Sequence, residues 1–330
     1  MYAEALLADV CRAFGLQFLD RFDASLAGSP ARSRFRTAIR ASRASGRCAT
    51  KAPARSYVLE EIGTEAAQRR ECLALLLQRL RARGLPVQTY LAALTASDRD
   101  AWHVRRVGSS WWTITPFVEG DPLPRPGWVE SSERGVAMAG FLADLAAASI
   151  DVRDQPSWDL RAFVEGFAAK LARHRPDLLH ELEAPLARVR SLLYPVLPDL
   201  PRRLCHGDYH PLNVLWKGVQ VHTVIDWEFS GLKPELYDAA MAVGCAGVEW
   251  PKALTGGYVT TFLGELRDRG VGSARSWACY PTLVLATRLA WLSEWLRGGD
   301  TEMIGLELAY LGLLTRRLPE LASAWGVESP

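Results

Sequence analysis

The character of the chain changes at one stretch of eight residues that contains three prolines and two glycines. This stretch, GDPLPRPG at residues 120–127, follows short aromatic-rich segments and precedes long segments with apolar residues at helical spacing. Proline and glycine interrupt strands and helices, so the stretch predicts a boundary. At 330 residues the chain also exceeds the size that one hydrophobic core usually serves. We therefore predict two lobes, residues 1–119 and residues 120–330.

Before the boundary, the sequence alternates as strands do. RSRFRTAIRAS and SYVLEEI each predict a strand, and a helix follows from an N-cap at Thr64 to a terminal glycine at Gly84. Two aromatic-rich strands are predicted near AWHVRRV and SSWWTITPFVEG. After the boundary helices dominate, and β-branched residues return only around LCHGDYHPLNVLW and VHTVIDWEFSG. The fold class predicted is α+β.

Composition excludes several classes of protein. The net charge of +2 gives no general attraction to nucleic acid or to a membrane surface. The six cysteines form no CxxC pair, which favours a reducing compartment, and no run of apolar residues is long enough to span a bilayer. We expect a cytoplasmic protein that binds neither nucleic acid nor membranes, and no oligomeric state is predicted.

Four polar residues interrupt the apolar segment LCHGDYHPLNVLW, namely His206, Asp208, His210 and Asn213. The first three alternate and could face one side of a strand as zinc ligands. None of the remaining histidines stands in a paired HxxxH spacing, so a His/Asp metallohydrolase is kept only as an alternative. A loop whose polar groups satisfy one another explains each residue alone but not the combination with the segment that follows.

That following segment, VIDWEFSG, places Asp226 at the end of an apolar strand, thirteen residues after Asn213. Phosphoryl transfer from a nucleotide needs one carboxylate to orient the attacking hydroxyl and oxygen ligands to hold magnesium. Asp208, Asn213 and Asp226 supply these groups. Two carboxylates at apolar strand ends also need a counter-charge, and Mg²⁺ would provide it.

HGDYHPLNVLW followed by VIDWEFSGLKPELYDAA resembles the signature of the aminoglycoside phosphotransferase and choline kinase-like superfamily of small-molecule kinases. The resemblance implies a two-lobed protein-kinase-like fold, with a small mixed β-sheet lobe and a larger, mainly helical lobe. It also implies a role for each of six residues: Asp208 is the catalytic aspartate, Asn213 and Asp226 bind Mg²⁺, Glu228 assists the metal through water, His206 shapes the catalytic loop, and Asp238 ties that loop to the next helix. We expect Asp208, Asn213 and Asp226 to converge on one cleft.

In the first lobe, the resemblance implies that AGSPARSRFRTAIRAS covers the nucleotide and that the hinge backbone at Thr115, Phe117 and Val118 holds adenine. One residue departs from the family pattern. The third strand usually carries lysine or arginine for the phosphates, and here that position is Glu60.

The glutamate that usually partners this lysine would be Glu65 or Glu71 on the helix, although it cannot pair with Glu60. We hypothesise that Arg34 and Arg36 grip the phosphates instead, because arginine matches phosphate geometry. Replacing both by alanine should then lower ATP affinity, and Glu60→Lys should recover some of it.

The predicted activity is transfer of the γ-phosphate of ATP or GTP, with Mg²⁺, to a hydroxyl of a small molecule such as an aminoglycoside, a sugar or an amino alcohol. Because GxGxxG and an APE-like element are absent from the sequence, a protein kinase is disfavoured. A nucleotide-binding pseudokinase or sensor would explain Glu60 and stays an alternative. Four aromatic residues could bind the acceptor or belong to the core: Trp250, Tyr280, Trp291 and Trp295.

Overall fold

The computed structural model describes residues 4–24, 33–43, 53–93 and 102–327, and the side chains of Ser33 and Arg34 lie outside the described part. The chain divides into two compact units. Unit 1 consists of Met1–Asp121, Leu212–Lys217 and Val221–Glu228, and unit 2 consists of Pro122–Pro211, Gly218–Gln220 and Phe229–Pro330.

A five-stranded sheet in the order β1-β2-β3-β5-β4 forms the body of unit 1. Its strands are β1 Leu16–Arg21, β2 Ser33–Arg43, β3 Arg55–Ile62, β4 Arg105–Val107 and β5 Ser110–Pro116. The predicted strands are therefore confirmed. All four neighbouring pairs are antiparallel, so this five-stranded sheet does not mix strand directions.

The core of unit 1 forms between one face of this sheet and helix α1, Glu4–Ala13. Leu7 and Val10 of the helix pack with Leu59, Trp112 and Ile114 of the sheet, and all five are buried. Burying β-branched and aromatic side chains against an amphipathic helix is what gives a small sheet independent stability.

Helix α2, Thr64–Ala82, occupies the position predicted for it. Its N-cap is Gly63, with no side-chain cap, so Thr64 is the first helical residue and not the predicted cap. Gly84 follows the helix at φ +90°, the left-handed conformation that ends many helices. Leucines form most of the buried face, but Arg70 is buried there too.

Two later segments belong to unit 1 because their backbones pair with it. Strands β7, Val214–Lys217, and β8, Gln220–Val224, pair with each other. Val224 forms a parallel bridge with Val87, and Trp216 forms an antiparallel bridge with Asp121. The prediction had assigned all of residues 120–330 to the second lobe, whereas these backbone pairings place most of β7 and β8 in unit 1.

Unit 2 is mainly helical. Its helices are α3 Ser132–Ala148, α4 Leu160–His174, α5 Pro176–Glu181, α6 Glu183–Arg188, α7 Tyr237–Glu249, α8 Gly257–Asp268, α9 Ala274–Ala278, α10 Tyr280–Gly298 and α11 Thr301–Ala324. Strands β6, Arg202–Cys205, and β9, Gly231–Pro234, form its two-stranded sheet. The segment around HELEAPLARVRSLL is divided into α5, α6 and a π-helical turn at Val189–Leu193.

Helix α10 carries a stripe of buried leucines. Leu285, Leu289 and Leu292 are fully buried. Among the described residues, none of the helices combines the length and the apolar character needed to cross a bilayer.

Candidate active site

The loop that carries Asp208 is held by a buried carboxylate in unit 2. Asp238, at the start of α7, accepts hydrogen bonds from the backbone N–H groups of His206 at 2.6 Å and Gly207 at 2.8 Å. Burial raises the pKa of Asp238 to about 6, although these two donors act in the opposite direction. The loop backbone is thus tied to the following helix, as the resemblance implied for Asp238.

Gly207 is the one position in this loop that no other residue could fill without strain. Its φ is +88°, and a Cβ added there would lie 2.2 Å from the carbonyl oxygen of Phe229 and 2.7 Å from Cε of Lys233. The side chain of Lys233 is buried, with its ammonium 4.6 Å from the centroid of the Trp158 ring. The turn before Asp208 therefore depends on close packing as well as on left-handed backbone.

His206 acts within the loop as an acceptor. Its Nδ1 accepts a hydrogen bond from the backbone N–H of Asp208 at 3.2 Å, and the imidazole is fully buried. A nitrogen that accepts this bond is not available as a metal ligand. Across the described residues, there is no cluster of three His, Cys, Asp or Glu side chains that could hold a metal ion. The zinc interpretation of His206 and His210 therefore has no geometric support.

His210 connects Asp208 to an aromatic wall. Its Nε2 lies 3.6 Å from Oδ2 of Asp208. Its ring centroid lies 5.5 Å from that of Trp291, and the ring of Trp291 lies 5.3 Å from that of Trp295. The indole N–H groups of both tryptophans are buried and have no hydrogen-bond partner among the described residues. Two buried donors without a partner among the described residues thus lie within this aromatic wall.

The other two aromatic candidates lie elsewhere. Tyr280 is fully buried, and its hydroxyl donates to the carbonyl of Ala239 at 3.0 Å. It is a core residue. Trp250 is 40 % exposed and lies beside Lys252. Trp291 is therefore the aromatic candidate that adjoins His210 in unit 2, and Trp295 packs against Trp291.

Asn213 and Asp226 are connected through their backbones within unit 1. The carbonyl of Asn213 accepts a hydrogen bond from the N–H of Ile225 at 3.0 Å, and Asn213 is 2 % exposed. Val224 donates to Pro86 at 2.8 Å, and its carbonyl accepts from Gln88 at 3.0 Å. The two predicted metal-binding residues are thus presented by one hydrogen-bonded framework.

Asp226 itself has an unusual backbone. Its φ is +64°, and among the described residues it is the one non-glycine with positive φ. Left-handed backbone costs a non-glycine residue about 1 to 2 kcal/mol, and such strained residues concentrate at functional sites. The side-chain oxygens of Asn213 and Asp226 are the hard donors that Mg²⁺ prefers, and Mg²⁺ is commonly held by one or two carboxylates together with substrate phosphates. These residues therefore fit magnesium.

The family model described as "Phosphotransferase enzyme family" matches residues 37–277, which is well over half of the chain. The chain belongs to this family. This membership confirms the resemblance carried by the segments around Asp208 and Asp226.

Two curated relatives are similar over part of their length. The homoserine kinase of Methylobacterium nodulans is 32 % identical over 133 residues, covering 39 % of this chain and 40 % of the relative. The homoserine kinase of Methylocella silvestris is 28 % identical over 156 residues, covering 44 % and 48 %. The chain thus spans less than half the length of either relative.

Solved structures share the fold at low identity. An amicoumacin kinase in complex with AMP-PNP and Ca²⁺ has a TM-score of 0.62 at 14 % identity and covers 97 % of this chain and 94 % of its own. A microcompartment-associated aminopropanol kinase has a TM-score of 0.59 at 18 % identity and covers 98 % and 99 %. The predicted kinase-like fold is confirmed.

The predicted hinge residues continue from β5. Thr115 is buried opposite Val58 of β3, and Phe117 donates its N–H to the carbonyl of Ser56 at 3.0 Å. The amide of Phe117 is therefore engaged within the sheet. Val118, the next residue, is half-buried, and its amide becomes the hinge donor to test.

The three predicted phosphate-site residues differ in what the structure shows of them. Arg36 lies opposite Glu60 in the β2–β3 register. Arg34 is in β2, but its side chain lies outside the described part. Glu71 accepts from the backbone N–H groups of His103 at 2.8 Å and Val104 at 2.9 Å, so its carboxylate braces the segment before β4.

Arg69 and Arg70 were not predicted as site residues from the sequence. Arg70 lies one helical turn before Leu73, on the buried face of α2, and its side chain is only 7 % exposed. An arginine that falls in a leucine stripe was the available signal, because a buried guanidinium requires acidic partners. Glu60 is one of them, at 3.2 Å from Nη2 of Arg70. The helix thus supplies the cation that pairs with the acid of the third strand. From the sequence, Glu65 or Glu71 had been considered as the helix residue that partners this strand.

Proposed function

We propose that this phosphotransferase moves the γ-phosphate of ATP or GTP to the hydroxyl of a small amino alcohol, with Asp208 as the catalytic residue. The observation that carries the proposal is the loop at residues 206–208. Its backbone is fixed by Asp238, and its one catalytic-type carboxylate adjoins His210. A carboxylate on a rigid loop is what orienting an attacking hydroxyl requires.

Asp208 would accept a hydrogen bond from the acceptor hydroxyl and then take its proton as the oxygen attacks the γ-phosphorus. The bond from that phosphorus to the β,γ-bridging oxygen would break, and the nucleoside diphosphate would leave. His206 would set the direction of Asp208 through the bond from the Asp208 amide to its Nδ1. Asn213 and Asp226 would hold Mg²⁺ on the phosphates, where the bound metal neutralises developing charge. Glu228 would act on this metal indirectly, since one of its carboxylate oxygens accepts from Arg70.

For the nucleotide, we propose the hinge around Thr115, Phe117 and Val118, with the Val118 amide as donor to the base. Arg36 remains the proposed phosphate cation of the hairpin, with Arg34 beside it in sequence. Similar solved structures contain either AMP-PNP or GDP, so both nucleotides belong in the test.

For the acceptor, an amino alcohol is proposed from the relatives and from the wall of unit 2. The curated relatives are homoserine kinases, and one structural neighbour is an aminopropanol kinase. Trp291 and Trp295 supply aromatic rings against which an ammonium group could pack. Homoserine is accordingly the first candidate.

The test is nucleoside diphosphate release measured with ATP and with GTP against homoserine, 1-amino-2-propanol, choline, an aminoglycoside and a simple sugar. Asp208→Asn is the control that must remove acceptor-dependent release. Turnover with homoserine or aminopropanol above the other acceptors supports the proposal. Preference for the aminoglycoside or the sugar would retain the phosphotransferase and reject the amino-alcohol class.

A nucleotide sensor is the second candidate, because the third-strand position that usually carries a cation holds Glu60, which pairs with Arg70. Nucleotide binding with no release against any acceptor would favour the sensor.

A further inference from the structure

Arg70 has three polar partners within unit 1. Its Nη1 donates to the hydroxyl of Tyr90 at 2.8 Å, and its Nη2 donates to Glu60 at 3.2 Å and also to Glu228. The side chains of Arg70, Glu60 and Glu228 are only 7 %, 12 % and 8 % exposed. One buried guanidinium therefore joins helix α2, strand β3 and the segment that follows Asp226.

The preceding residue contacts the same segment. Arg69 donates from Nη2 to the backbone carbonyl of Glu228 at 2.9 Å. Consecutive arginines of α2 thus bind both the side chain and the backbone of Glu228. Glu228 stands two residues after Asp226, whose left-handed backbone needs support from its surroundings.

The charges of this cluster do not balance by themselves. Burial raises the pKa of Tyr90 to about 12, which keeps the phenol neutral. Two carboxylates then face one guanidinium. Burial also raises the pKa of Glu60, and the nearby positive charges of Arg70 and Arg36 partly offset this effect. Arg70 is consequently the group on which two buried acids depend, and its loss leaves both without their shared donor.

We propose that Arg70 is a positioning residue that fixes the metal-binding segment of the nucleotide site by holding Glu228. The inference rests on the proposed function, since it assigns Mg²⁺ to Asp226. The family usually carries the cation on the third strand and the acid on the helix. This chain carries the acid on β3 and the cation on α2, so the two charges are exchanged. Because of this exchange, one helix residue binds an acid of the strand and an acid of the metal-binding segment. Tyr90, Glu60 and Glu228 engage both terminal nitrogens of Arg70, so the role assigned to Arg70 is to hold these groups and not to bind the phosphates.

The experiment measures nucleotide affinity by titration calorimetry, with and without Mg²⁺, in the full chain. The variants are Arg70→Lys, Arg70→Met and Glu228→Gln, and the matched control is Arg81→Met, an exposed arginine on the same helix. Arg70→Lys keeps the charge and cannot make all three contacts, so it serves if Arg70→Met does not fold. Thermal unfolding without metal reports loss of structure separately.

We expect Arg70→Lys and Arg70→Met to weaken binding of the Mg²⁺ nucleotide at least tenfold and to leave metal-free nucleotide binding within twofold. Arg70→Met in a Glu228→Gln background should cost much less than in the parent, because Arg70 acts through Glu228. Arg81→Met should change neither affinity.

Equal loss of affinity with and without Mg²⁺ would mean that Arg70 contacts the phosphates and would overturn the inference. Unchanged Mg²⁺-nucleotide affinity with only a lower melting temperature would assign Arg70 to stability alone and would also overturn it. If the parent protein binds no nucleotide under either condition, the proposed function fails instead, and the two failures are thereby distinguished.

Discussion

The carboxylate of Glu60 lies 3.2 Å from the guanidinium of Arg70, and both side chains are nearly buried. This contact reverses an expectation from the sequence. Glu60→Lys was expected to restore nucleotide affinity, but it would place an ammonium group against a buried guanidinium. We now predict that Glu60→Lys destabilises the protein by about 3 kcal/mol or more and weakens nucleotide binding.

Glu60→Gln is the matched control, because it keeps the size and one acceptor oxygen while removing the charge. Its cost should be smaller, about 1 to 2 kcal/mol. Urea unfolding and nucleotide titration check both variants. A gain of affinity in Glu60→Lys would restore the original hypothesis for this strand position.

Substitutions at Asp208 and at Asp226 should impair the protein in different ways. Asp208→Asn should lower kcat about 10²- to 10⁴-fold with nucleotide binding unchanged, because Asp208 acts on the acceptor hydroxyl. Asp226→Asn should weaken binding of the Mg²⁺ nucleotide as well. Steady-state kinetics and nucleotide titration separate the two. Full activity in both variants would refute the mechanism.

Asp238 should make stability depend on pH in an unusual direction. Its pKa is raised from 3.8 to about 6 in the folded protein. The folded state therefore binds more protons than the unfolded state between these values, and the unfolding free energy contributed by Asp238 falls as pH rises through this window. This difference between the two pKa values of Asp238 corresponds to about 3 kcal/mol of unfolding free energy.

The measurement compares unfolding free energies of the parent and Asp238→Asn between pH 4 and pH 8. The parent should lose stability relative to the variant as pH rises from about 4 to 6, and the difference should be constant above about pH 7. A difference that stays flat across the whole range would contradict the raised pKa.

Gly207→Ala should be far more harmful than Gly218→Ala. Both glycines have positive φ, at +88° and +59°. A Cβ at Gly207 would lie 2.2 Å from the carbonyl of Phe229, whereas nothing lies within 4 Å of one at Gly218. We predict a loss of about 3 kcal/mol or more for Gly207→Ala and about 1 kcal/mol for Gly218→Ala. Chemical denaturation measures the free energy of unfolding of both variants. Equal losses would mean that the backbone shifts to avoid the contact with Phe229.

The sequence by itself determined the local elements and the order of the site residues. Strands β2 and β3, helix α2 and helix α10 follow from alternation or helical spacing, which depends on residues a few positions apart. The segments around Asp208 and Asp226 identified the family because their residue types and their spacing can be read directly from the sequence. These features are local, so no folded structure was needed to find them.

Only the tertiary structure decided which distant side chains meet. Arg70 and Glu228 are 158 positions apart in the chain, and no periodic pattern connects them. The same holds for Tyr280, which is core, and Trp291, which adjoins His210, although both lie on α10. Burial and charge pairing depend on which elements pack together, and that information exists only once the chain has folded.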